Sequence, residues 1–490
     1  FGFMFGNIGG PTDFAVLYLM YPGEFHFVGR LVSILFMAAS VVLIYHCGKR
    51  YQNRLTGLIA AGLLTFSAMT LIRTSWALPD STYLLMTVLS LFYLLGYMDS
   101  QKLNQVLLSG LFCGLAIATK YNVGTLIVVG VCGIALTHWE TTDSKHLISR
   151  MLSMAKTRGF YVYGLLIFFG FLIGTPYFMF DIPIHLAGLK WEIGRLGSEA
   201  AGASNFFSRL PYVWIFSELI IWEKGIGCVV IIGLAITIYR LVQGEISHLL
   251  FWPYIILTII LIGRYQKHSL HYLLPAFPAI FLTAGAGVSC LLRNKRSLAA
   301  VASIGLVAAL FISVPKIISI SNHYVQTDTR IAASDYIQSN IPIGSAIAIG
   351  RTIHAPPLQD TERFNKSNYS MISEQIMSRR LPDGIKKAYV QKIRHNYYKL
   401  SHYLVRQSKG RKASYTEMMS DFTIVGLNQI EPNVPDFVVF SSYDKGYFAR
   451  NGYANFLDAP GYKERLRLYK TFIPTDGKMV GPEIFIFSVL

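Results

Sequence analysis

The chain has 490 residues, of which 53% are hydrophobic and only 14% charged, with a formal net charge of +17 and a mean hydropathy of +0.43. A soluble protein of this length carries about 25% charged residues, so an ordinary soluble domain running the whole length is excluded. The five cysteines (Cys47, Cys113, Cys132, Cys228, Cys290) lie in or beside apolar blocks with no CxxC and no metal-ligand spacing, which argues against a disulfide framework or a zinc site.

In chain order, residues 1–27 read as the remainder of a first outer loop. The chain begins at Phe1 rather than Met and shows no basic leader with a cleavage site, so no signal peptide is expected and the native N-terminus is expected upstream. Residues 28–320 follow as apolar blocks at about 28–48, 55–73, 82–98, 105–119, 121–138, 159–179, 224–242, 249–263, 271–292 and 298–319, each near the roughly 17–25 residues that a spanning helix needs. The stretch 105–138 is too long for one span and short for two, and the break from Thr119 to Gly124 predicts a hairpin of short helices. Residues 321–490 have the composition of a soluble domain. Thr329–Gln338 predicts a helix, while 344–350, 435–440 and 483–488 predict strands. The expected class is therefore a polytopic α-helical membrane protein of about ten spans with a C-terminal α/β domain.

Lys and Arg in short loops set orientation. Lys49, Arg50, Arg54, Lys102, Lys145, Arg150, Arg240, Arg293 and Lys295 fall in one alternate set of loops, which is expected to be cytoplasmic. The other set, with everything after 320, is expected outside. Some cations break that rule. Lys120 sits at an outward turn, Arg264 and Lys267 lie in an outer loop followed by His271 and Tyr272, and Arg30 and Arg73 are near outer helix ends. Snorkelling to lipid phosphate would explain them. So would an anionic ligand, since ionisable groups in or near the bilayer are functional candidates.

Asp80 follows Pro79 in a short outer loop. It fits an N-cap for a helix starting near Ser81, and equally a carboxylate beside those cations that activates an acceptor. The long loop 180–223 places His185, Glu192 and Glu199 at seven-residue spacing, which suits an amphipathic surface helix or a lid. The basic segment 376–412 suits a solvated face near anionic lipid. Its outward position argues against nucleic acid as a partner, and an anionic glycan is an alternative.

Three stretches resemble the bacterial protein-mannosyltransferase-like family of polyprenyl-phosphate-sugar glycosyltransferases, which have the GT-C fold. They are Phe27–Ser33 leading through Tyr45–Arg50 to Gly57–Ala61; Leu78-Pro79-Asp80 with Gly110–Asn122; and His271–Pro278. The resemblance implies a GT-C-like helical bundle in a bacterial plasma membrane. It also implies a reaction at the outer face: a sugar moves, with inversion, from a polyprenyl-phosphate donor to a hydroxyl or amine of a glycan, lipid or protein acceptor. By the resemblance Asp80 is the acid of the second outer loop, and Lys120, Arg264, Lys267, His271, Tyr272 and Arg30 bind the donor or its lipid phosphate. Some members use a divalent cation and others do not. The family's acid of the first loop, the usual base, is not visible in this sequence; Asp13 and Glu24 match later parts of that loop. The family's Arg-Tyr pair is His271-Tyr272 here. A lipid or small-molecule transporter using the same charges, and a non-catalytic membrane scaffold, stand as alternatives.

Overall fold

The computed structural model describes residues 22–139, 157–198, 212–263, 269–293, 296–323, 326–341, 346–349, 414–417, 437–442, 466–474 and 479–489. They fall into two compact units, Gly23–Ile320 and one containing Ser321–Leu490. The first is the membrane bundle and the second carries the sheet.

The bundle runs through helices α1 (Pro22–Tyr51), α2 (Arg54–Phe66), α3 (Ala68–Thr74), α4 (Asp80–Ser100), α5 (Leu103–Thr119), α6 (Ile127–Trp139), α7 (Arg158–Gly174), α8 (Ile182–Ser198), α9 (Val213–Glu223), α10 (Gly225–Val242), α11 (Trp252–Ile262), α12 (Phe277–Leu292) and α13 (Arg296–His323). Each of the ten apolar blocks falls on helix. Among the described residues six helices are long and apolar enough to cross a membrane, the bent pair α2–α3 makes a seventh, and Leu103–Thr119, Arg158–Gly174 and Ile246–Ile262 are shorter apolar helices. The protein is a polytopic helical membrane protein.

Burial sorts the spans into centre and rim. In the most apolar window, 89% of Leu274–Leu292 and 67% of α4 are buried, against 17% for α1 and 11% for α13. The central helices approach one another through small residues, the usual device where apolar burial gives no preference for helix over lipid. α5 and α7 meet at Gly114 and Gly170; a methyl group at Gly114 would overlap the Ile167 carbonyl and the Phe171 amide nitrogen. α10 and α12 meet in the same way at Gly233 and Gly287.

Two local expectations need correcting. The block 55–73 is not one straight span. Ser67 takes an extended backbone and its side chain accepts from the Thr70 amide, so α2 ends, α3 starts afresh, and the two axes diverge by 60°. The loop 180–223 also holds more helix than expected. α8 is the helix expected over His185 and Glu192, with His185 Nδ1 3.0 Å from the Asp181 carbonyl oxygen, whereas α9 is a further apolar helix beyond it. The side chains of Glu192 and Glu199 lie outside the described residues. The 105–138 hairpin is as expected, with a 3₁₀ turn over Tyr121–Leu126 between α5 and α6.

In the second unit, strands β1 (Thr327–Asp328), β2 (Ala346–Ile349), β3 (Ser414–Glu417), β4 (Phe437–Ser441), β5 (Leu466–Phe472), β6 (Met479–Val480) and β7 (Ile484–Val489) accompany helix α14 (Thr329–Asn340). A five-stranded sheet has the order β3-β2-β4-β7-β5. β2 is parallel to β3 and β4, whereas β7 is antiparallel to β4 and β5. Asp328 caps α14 by accepting from the Arg330 amide. The helix lays Ala333 and Ile337 against Val439, Ile484 and Ile486 of the sheet. The basic stretch 376–412 lies outside the described residues.

Candidate functional site

The start of α4 gathers charge. Asp80 is the first residue of the helix, after Pro79, and makes no capping hydrogen bond from its side chain; the expected N-cap role is therefore corrected. Its carboxylate is 1% exposed and engages two cations. Arg73 Nη2 lies 2.7 Å from Oδ2, with Arg73 Nε donating to the same oxygen at 3.0 Å. Lys120 Nζ lies 3.1 Å from Oδ1. Both carboxylate oxygens are thus occupied, which allows a buried charge to persist.

Each cation arrives by a break in a helix. α5 ends at Thr119, whose hydroxyl donates to the Leu115 carbonyl, and Lys120 takes an extended backbone before the 3₁₀ turn. That extension turns its side chain across to Asp80 and over the Tyr83 ring, 5.2 Å from the centroid. Arg73 sits in the last turn of α3, so its position depends on the bend at Ser67.

The bend in turn depends on Glu223, which sequence reasoning passed over as the end of a loop. Glu223 is 1% exposed. Its carboxylate accepts from Ser67 Oγ at 3.0 Å, the Ala68 amide at 2.9 Å and the Met69 amide at 3.0 Å. It therefore satisfies the orphan donors of α3 and matches the positive end of the helix dipole. Lys224 next to it has φ +53°, a strained turn that joins α9 to α10. Ser313 of α13 buttresses this turn by donating to the Glu223 carbonyl at 3.1 Å. The available signal was an acid closing the apolar run Val213–Trp222.

The remaining candidates divide. His271 and Tyr272 form a 3₁₀ turn beside α3 and α9. His271 Nδ1 is 2.6 Å from Ser269 Oγ, and its ring lies 4.2 Å from that of Tyr272. The next turn, Leu274–Ala276, packs on α4 and on Tyr121–Leu126, with Tyr254 donating to the Pro275 carbonyl at 2.9 Å. Arg30 is exposed and makes no ion pair with a described residue; α1 reaches this end of the bundle where Gly29 packs on Ala77. Arg264 and Lys267 lie outside the described residues. Among the described residues no cluster of three His, Cys, Asp or Glu could hold a metal ion. Asp80, facing two cations, is a poor donor set for a divalent ion.

Residues 15–155 match the family model described as dolichyl-phosphate-mannose-protein mannosyltransferase. That stretch is less than a third of the chain, and it holds Arg30, Arg73, Asp80 and Lys120. No curated protein sequence matches. Among solved structures, the apo oligosaccharyltransferase of Archaeoglobus fulgidus aligns over 89% of this chain and 61% of its own, at 10% identity and a TM-score of 0.45. ArnT from Cupriavidus metallidurans bound to undecaprenyl phosphate aligns over 94% of this chain and 83% of its own, at 12% identity and a TM-score of 0.38. The chain thus spans about three fifths of the length of the archaeal enzyme.

Proposed function

We propose that this protein is a GT-C glycosyltransferase of a bacterial plasma membrane. In this reading it transfers a sugar from a polyprenyl-phosphate donor to a hydroxyl or amine acceptor at the outer face. The carrying observation is the arrangement Arg73–Asp80–Lys120. Asp80 is sealed, yet the cations it holds remain partly open, at 17% and 27% side-chain exposure. Cations that are partly open can take a second anionic partner beside Asp80. A leaving phosphate fits that role, because preorganised donors aimed at developing negative charge lower the barrier and charge-assisted hydrogen bonds to phosphate are strong. The family match over 15–155 and the resemblance in the three stretches support the same reading.

In the reaction the acceptor oxygen or nitrogen attacks the anomeric carbon opposite the phosphate. The bond from that carbon to the phosphate oxygen breaks, and its electron pair leaves on the lipid phosphate, inverting the centre. Arg73 and Lys120 receive that charge. Asp80, engaged on both oxygens, holds the two cations in place, and the acceptor's proton passes to a carboxylate base of the kind that the resemblance puts in the first loop. His271 and Tyr272 lie beside α3, where they would meet the donor.

The test uses the full-length protein in membranes with a panel of radiolabelled polyprenyl-phosphate hexoses and pentoses. Lys120→Ala is expected to lower transfer by about 100-fold, as loss of one transition-state donor does elsewhere, and Asp80→Asn, which loosens the hold on both cations, should lower it markedly too. Unchanged transfer in both variants, or lipid flipping with no covalent product in the wild type, would overturn the reading. The folding cost of Asp80→Asn should stay below the roughly 3–5 kcal/mol seen when a fully buried pair loses one partner, because both cations keep solvent access.

A further inference from the structure

The ends of the bundle differ. Opposite the Asp80 end, between the α1–α2 turn, the last turns of α10 and the end of α12, is a cavity of about 830 Å³. Among the described residues, two arginines line it and no carboxylate does. Arg240 is held on one side by Glu245 at 3.0 Å, but its Nε is buried without a hydrogen-bond partner among the described residues. Arg293 is exposed, and its side chain makes no ion pair with a described residue. The other wall is apolar: Ile232, Ala235 and Ile236 follow one another up α10, away from the arginines and into the span, and Ile232 is 53% exposed.

We infer that this cavity binds an anionic phospholipid, its phosphate between Arg240 and Arg293 and its acyl chains along Ile232, Ala235 and Ile236. The charge is complementary: Arg240 keeps 37% of its side chain exposed beside its bond to Glu245, and Arg293 is exposed. Basic pockets between spanning helices recognise anionic headgroups on the membrane face that collects Lys and Arg. That end carries Lys49, Arg50 and Arg54 as well. The apolar wall, which starts one helical turn from Arg240 at Ile236, suits a tail rather than a free anion. The site lies at the opposite end of the bundle from the proposed transfer site and does not rest on that reading.

The test takes the purified full-length protein, delipidated in nonionic detergent. Lipid retention is read by native mass spectrometry and stability by thermal unfolding. Phosphatidylglycerol should be retained and raise Tm. Phosphatidylcholine with the same acyl chains, and inorganic phosphate, should do neither. Arg293→Gln should weaken phosphatidylglycerol binding by about fivefold, the share of one arginine near a membrane surface. Ala235→Phe, which fills the apolar wall from an exposed position, should weaken it without removing a charge. Equal retention of the two lipids by the wild type, a full thermal shift with inorganic phosphate alone, or wild-type binding in both variants would each overturn the inference.

Discussion

Asp80 and Glu223 are both sealed acids, and they are held in opposite ways. Asp80 is neutralised by two side-chain cations, whereas Glu223 meets only a hydroxyl and two backbone amides. Glu223→Ala removes all three contacts and leaves the Ala68 and Met69 amides without their acceptor. An unsatisfied buried donor costs about 1–3 kcal/mol, so Glu223→Ala should lower Tm in detergent, and Glu223→Gln, which keeps one acceptor oxygen, should lower it less; equal Tm for the wild type and Glu223→Ala would count against this account of Glu223.

Among elements, the broken helix α2–α3 and the glycine-lined pair α5–α7 bring Arg73 and Lys120 to Asp80. α5 can carry Lys120 there only if it packs backbone to backbone on α7 through Gly114. Gly114→Val places its Cβ against the Ile167 carbonyl and the Phe171 amide, backbone atoms that cannot swing aside. The expected loss lies near the upper end of the roughly 1–3 kcal/mol that overpacking costs, read as a lower Tm in detergent. Gly164→Ala on the same α7 meets nothing within 4 Å and should leave Tm unchanged or slightly raised, since alanine is the better helix former.

Across the whole molecule, hydropathy located the spans because a bilayer core admits only long apolar helices and closed barrels. All ten blocks landed on helix for that reason. Lys120 and Asp80 stood out as charges near apolar ends, and the structure brings them together. Arg73 stood out too as one of the cations near Asp80, but the direct bond between them did not, because it requires the bend at Ser67. That bend has no proline or glycine to announce it. It rests on a hydrogen bond within α3 and on an acid 156 residues away, and single-sequence patterns carry no signal of that range. α9 was read as loop because its 11 residues are too few to span. In the second unit β2, β4, β7 and α14 were legible as apolar runs or helical periodicity. β3 (Ser414–Glu417) and β5 (Leu466–Phe472) were not, since their sequences carry charge and hydroxyls at exposed or edge positions.

The bond from Glu223 to the start of α3 also imposes an order of synthesis. A chain emerges N-terminus first, so residues 55–74 enter the membrane long before residue 223 exists. Until then the Ala68 and Met69 amides have no acceptor, and an unpaired amide in hydrocarbon costs several kcal/mol. The cheaper early arrangement is a straight helix through Ser67, whose amides are paired internally; the kink forms only once α9 arrives. Position 73 should therefore change its surroundings late. Nascent chains carrying Arg73→Cys, arrested at increasing lengths and probed with a membrane-impermeant thiol reagent, should change labelling only after residue 223 has cleared the ribosome. A change at the length where α4 emerges would place the bend earlier and leave Glu223 as its lock rather than its cause.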